Sequence, residues 1–228
     1  FAGSVIGLAD NSDFARSIEP FGLKAVNSDK YLNFNTYYTI QDPKTPAKYF
    51  IDIFKKTEID KYEYFSTQFI FTKIALFSNS LVNTALNRNS RIFDIRILGF
   101  IYVLLYSLAI FILLDAITYK KRNLYRVIIS LITLIVLLDC GYLVYMNSFF
   151  GETTTLIFFV LSVALVLHLI QTEKIRISVI LLTLLSIFIF SGSKMANYPT
   201  AILLIIGMVI ALFSKSTRPV KIVFIVST

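Results

Sequence analysis

Eighteen consecutive residues, Ile97 to Leu114, carry no charged side chain. As a helix rising about 1.5 Å per residue, such a run reaches about 27 Å, close to the hydrocarbon thickness of a bilayer. A soluble core of this size has no use for it. Four more apolar runs follow: Val127–Met146, Thr153–Ile170, Ile177–Phe190 and Ala201–Phe213. Hydrophobic residues make up 56% of the chain, above the 45–50% or so of ordinary soluble domains, and the excess lies after residue 94. The pattern predicts an all-α fold, a polytopic transmembrane helix bundle of five full spans and the start of a sixth. Phe1–Ala9 reads as the end of a truncated first transmembrane helix, and the last residues, from Val220, as a helix that is cut off. Both are the pattern expected of a fragment.

Charge orients the bundle. Residues 1–93 hold 11 Lys+Arg against 9 Asp+Glu, whereas residues 94–228 hold 11 against 5, so the surplus sits in the short loops between apolar runs. Lys120, Lys121, Arg122, Arg126, Lys174, Arg176, Lys215, Arg218 and Lys221 fall in three alternate loops, and Lys194 is the one basic residue in the loops between them. Basic residues mark the cytoplasmic side. Residues 10–93 are therefore expected outside the cell, as an extracytoplasmic region of loops and amphipathic helices, and residues 94–228 as the bundle. Dispersed charges of this kind speak against nucleic acid as a partner. Cys140 is the single cysteine, which excludes an internal disulfide or a cysteine metal site. His168, the single histidine, closes an apolar run as a helix-end residue does.

Within residues 10–93, Pro20, Pro43 and Pro46 punctuate the chain, and Asn27–Asn35 is rich in turn formers. Tyr31–Ile40 alternates loosely, as a short strand or an irregular segment. Thr45 and Pro46 are suited to the N-cap and first position of a short helix reaching about Lys56. A longer helix is expected from about Ser66 to Leu86, with Phe69, Phe71, Ile74, Ala75, Phe77 and Leu81 as its apolar face and Lys73 as its one charge.

The chemistry-bearing groups collect on the predicted outer face. They are Asp10 and Asp13, spaced three apart; Asp139, in the outer half of a span; Asn147 and Glu152, in the loop after it; and Lys194 and Asn197, in the next outer loop. A carboxylate can serve as a general base or a metal ligand, and a lysine can hold a phosphate. Plainer roles compete. Asp10 has the residue type of an N-cap, Glu152 suits the start of the helix from Thr153, and Asp139 could be paired structurally. Ile177–Phe190 and Ala201–Phe213 are short, about 21 and 20 Å. Their outer ends should continue through Ser191–Ser193 and Asn197–Tyr198, beside a wet pocket near Lys194.

Three patches carry a resemblance. Gly7-Leu-Ala-Asp-Asn-Ser-Asp-Phe-Ala-Arg-Ser-Ile-Glu-Pro-Phe-Gly-Leu23 resembles the first outer loop of bacterial GT-C-type membrane glycosyltransferases. Tyr142 to Glu152, continued by Thr153 to Leu156, is similar to a second outer-loop motif, and Ser191-Gly-Ser-Lys-Met-Ala-Asn-Tyr-Pro199 to a third. The resemblance implies an inverting transferase that moves sugar from a polyprenyl-phosphate donor on the outer leaflet to a surface glycan or similar acceptor. It implies that Asp10 or Asp13 is the catalytic base. The other would hold a donor group or, with Glu152, a divalent metal (Mg or Mn) if one is used. Lys194 would neutralise the donor phosphate, with Asn147, Asn197 and Arg16 binding substrate. Partners would be the lipid-linked sugar, the glycan acceptor and membrane lipids. Two other classes fit a chain of this kind: a transporter of lipid-linked glycans, which would place charges in mid-span, and a non-catalytic membrane partner.

Overall fold

A computed structural model describes residues 17–25, 36–55, 66–172 and 176–216, less the side chains of Ala25, Lys215 and Ser216. Asp10, Asp13 and Arg16 lie outside the described residues. The chain divides into two compact units, Phe1–Leu104 with Cys140–Thr153 and Leu105–Asp139 with Thr154–Thr228. Each is described by itself.

The first unit contains a small antiparallel sheet in the order β1 (Leu23–Ala25), β2 (Tyr37–Ile40), β3 (Ile92–Asp94). Leu23 pairs with Ile40, and Tyr38 with Phe93. Gly22 precedes β1 with φ 63°, closing the 3-10 turn Glu19–Phe21; that left-handed backbone is cheap only without a Cβ. Helix α1 (Pro46–Ile53) starts where Pro46 suggested, with Thr45 at the N-cap but without a side-chain capping bond.

Helix α2 (Gln68–Ala85) buries most of the expected apolar face together with two amides. Phe69, Phe71 and Ala75 are inside as expected, but Asn79 and Asn83 are buried and Leu81 is exposed. The cause is the open edge of β3. Asn79 donates to Ile92 O at 2.9 Å and accepts from Asp94 N at 3.0 Å, while Asn83 donates to the same Ile92 O at 2.8 Å. Two amides at i, i+4 thereby satisfy an edge that would otherwise keep bare backbone groups.

Helix α3 (Ile95–Ile117) follows β3 directly and, at 23 residues, is long enough to cross a bilayer. The run predicted over Val127–Met146 is broken, as α4 (Asn123–Leu137) and the short α5 (Cys140–Leu143). Tyr106 Oη takes the terminal Leu137 carbonyl at 2.6 Å. Asp139 stands immediately before α5, a position that favours Asp over continued helix. Helices α6 (Gly151–Gln171), α7 (Ile177–Ser193) and α8 (Tyr198–Ser216) complete the described chain. Among the described residues three helices are long and apolar enough to span, Ile95–Ile117, Gly151–Gln171 and Met195–Ser214, or four if the broken pair counts as one. Five were expected. The Ile177 run does continue past Phe190 to Ser193 but stays at about 25 Å.

Unit 2 has its core where Val166 and Leu169 of α6 meet Met208 and Ala211 of α8, with Val179 and Ile180 of α7 packed on them. A Cβ at Gly207 would stand 3.5 Å from Val166 Cγ1, an ordinary van der Waals contact. The outward faces are apolar too: Leu131, Ile132 and Ile135 on α4 and Leu203, Ile206 and Ile210 on α8 are all exposed. Apolar area on that scale is stable only with hydrocarbon as its solvent.

Candidate functional site

The predicted outer loop after α5 is a packed segment of unit 1. Val144–Asn147 form a 3-10 turn, Ser148 is extended, and α6 begins at Gly151. Tyr145 O is the hub, accepting from Ser148 Oγ and from Thr153 Oγ1, each at 2.6 Å. Phe149 is fully buried, its ring 5.0 Å from Tyr38 on β2 and 5.8 Å from Phe93 on β3. The sheet therefore fixes the loop through one aromatic anchor. Asn147 is 0% exposed, and neither its amide nitrogen nor its amide oxygen has a hydrogen-bond partner among the described residues. A buried polar group left unmet costs about 1–3 kcal/mol. Glu152 is half-buried in the first turn of α6, where a carboxylate is favoured by the helix N-terminus.

The second outer turn belongs to unit 2. Lys194 leaves α7 in extended backbone, half-buried, and a 3-10 turn over Met195–Asn197 leads into α8. Asn197 locks this turn. Its main-chain N–H bonds Lys194 O at 3.0 Å. Its side-chain Nδ2 reaches Phe190 O at 2.9 Å, Ser193 Oγ at 3.0 Å and Thr155 Oγ1 at 3.1 Å. Thr155 and Ser193 share a further bond at 2.7 Å. The polar helix ends expected beside Lys194 thus satisfy one another.

Asn147 and Glu152 share one braced segment, and Lys194 and Asn197 share one locked turn. Asp139 is exposed at the α4–α5 break. Among the described residues, no three His, Cys, Asp or Glu side chains gather as a metal site would require. A cavity of about 480 Å³ lies elsewhere in unit 1; Asp139, Asn147, Glu152, Lys194 and Asn197 do not line it, though Pro20, Phe21 and Gly22 of the first resemblance patch do. Thr155 was missed as a partner of this turn; the Thr-rich start of α6 was the available signal.

The broken and unbroken apolar helices, with lipid-type outer faces, define a multi-pass α-helical membrane protein. Residues 1–228 match the family model described as the YfdI N-terminal transmembrane domain, and the chain belongs to that family. No curated protein and no solved structure matches it.

Proposed function

We propose that this chain carries the outer-face site of a GT-C-type glycosyltransferase, which moves a sugar from a polyprenyl-phosphate donor to a surface glycan or similar acceptor. In this reading residues 10–93 are extracytoplasmic. Asp10 or Asp13 takes the proton of the acceptor hydroxyl, whose oxygen bonds to the sugar's anomeric carbon. The bond from that carbon to the phosphate oxygen breaks, and the phosphate leaves with the electron pair beside the Lys194 ammonium. The other aspartate and Arg16 hold the donor, and Glu152 and Asn147 position the acceptor. Asn197 keeps the Lys194 turn in place. If a divalent metal is used, Asp13 and Glu152 would hold it.

The observation that carries the reading is Asn147. A fully buried amide with both ends unbonded among the described residues, in the patch similar to a glycosyltransferase loop, is a cost that substrate recognition would explain. Full-length membership of a transmembrane-domain family supports it. The test is transfer of labelled sugar in membranes bearing Asp10→Asn, Asp13→Asn or both, with insertion checked by cysteine accessibility. Loss of transfer with intact insertion is expected; wild-type transfer by the double variant would end the proposal.

A further inference from the structure

The cavity in unit 1 is walled by the Glu19–Phe21 turn, the Gln41–Lys44 segment and the facing sides of α1 and α2. Its volume of about 480 Å³ lies within the usual 300–1,000 Å³ or so of small-molecule sites. Three lysines line it, Lys44, Lys55 and Lys73, against two carboxylates, Asp42 and Asp52. Asp52 is already claimed, by Lys44 at 2.6 Å and by Lys55 at 3.8 Å. Lys73 is half-buried and donates to the main-chain oxygen of Lys55. Burial holds its ammonium below the usual lysine value, with Asp52 only partly offsetting this. An ammonium carries three N–H donors, so Lys73 has two beyond that bond. Tyr49 adds a buried hydroxyl that faces the Lys44 main chain and whose own O–H finds no acceptor among the described residues. The surplus in the cavity is therefore of positive charge and of donors. Phe21 and Leu76 supply an apolar wall beside them.

We propose that this cavity binds an oxyanion, a phosphate or carboxylate carried on a monosaccharide-sized polar ligand, with Lys55, Lys73 and Tyr49 as its donors. Charge-assisted N–H···O⁻ bonds are roughly twice as strong as neutral ones, and a donor-rich, half-enclosed pocket is where they count most. Among the described residues, none assigned to sugar transfer lines the cavity, and the proposal does not depend on that reading. The oxyanion could belong to a soluble acidic sugar or to a lipid headgroup, since either presents the same oxygens.

The whole chain in nanodiscs of neutral phosphatidylcholine is titrated by calorimetry with glucose 6-phosphate, with glucuronate and with glucose. Saturable binding of at least one anion, weakened tenfold or more in Lys55→Gln and in Lys73→Gln, is expected, with glucose much weaker. Lys73→Gln could loosen the α1–α2 contact, but Lys55 is exposed and its substitution should leave thermal unfolding unchanged. Repeating the titration in phosphatidylglycerol nanodiscs separates the sources: competition assigns the lipid headgroup, and none assigns the soluble sugar. The proposal is overturned if neither anion saturates below about 10 mM in neutral nanodiscs and phosphatidylglycerol does not protect Lys55 from amine modification. Equal binding of glucose, or anion binding indifferent to Lys55→Gln, overturns it as well.

Discussion

Replacing Asn197 with alanine separates a locking role from direct contact with substrate. Its Nδ2 faces three acceptors at 2.9, 3.0 and 3.1 Å but carries only two hydrogens, so two bonds form at a time. The carbonyl of Phe190 fixes which amide atom is the donor, because an oxygen there would face an oxygen. At about 0.5–1.5 kcal/mol per bond the loss would be about 1–3 kcal/mol. Membrane helices tend to give about 0.6 kcal/mol per polar pair, which favours the lower half. Phe190 O also keeps its bond from Ser193 Oγ at 2.7 Å, so the deletion does not orphan it. About 1–2 kcal/mol is therefore expected for Asn197→Ala in equilibrium unfolding in mixed micelles. Asn197→Asp should cost more, because it sets a carboxylate against that carbonyl. An Asn197→Asp protein as stable as the wild type would refute the lock, and so would an Asn197→Ala protein that unfolds at the same denaturant concentration.

Ser162 and Ser186 share a buried 2.7 Å bond between α6 and α7. A double-alanine cycle should give a coupling of about 0.6–1.7 kcal/mol, and none if the pair is incidental. In unit 1, the Lys44 bond holds the Asp52 carboxyl below its ordinary value of 3.8. A depressed carboxyl stabilises above its unfolded value and loses that contribution as pH falls through the folded one. The wild type should therefore lose thermal stability below about pH 4 more steeply than Asp52→Asn; parallel profiles would count against the ion pair as a contributor.

The apolar runs were legible because lipid-facing helices need only length and the lack of charge. Ile97–Leu114 needs no partner to be read, and α3 contains it whole. The break in the Val127–Met146 run was not legible from its hydropathy; at the break Tyr106, a residue some 30 positions away, takes the Leu137 carbonyl. The buried amides of α2 were not legible for a related reason: the edge of β3 needed Asn79 and Asn83, and a sheet edge cannot be seen from the helix that covers it.

The same logic bears on the candidate site. Asn147 and Asn197 look alike in sequence, each a polar residue in a predicted outer loop. In the fold one amide nitrogen faces three acceptors, while the other amide, buried beside an aromatic anchor, meets no partner among the described residues. Polar residues that hold a fold together consume their hydrogen-bonding capacity within it; those kept for a ligand must hold some back. On that criterion Asn197 shapes the Lys194 turn and Asn147 is the stronger candidate for touching substrate. Asn147→Ala, which removes two buried unmet groups, should therefore leave the fold at least as stable while lowering sugar transfer. A marked loss of stability in unfolding experiments would show instead that its amide has structural partners, and the argument for substrate contact would fall.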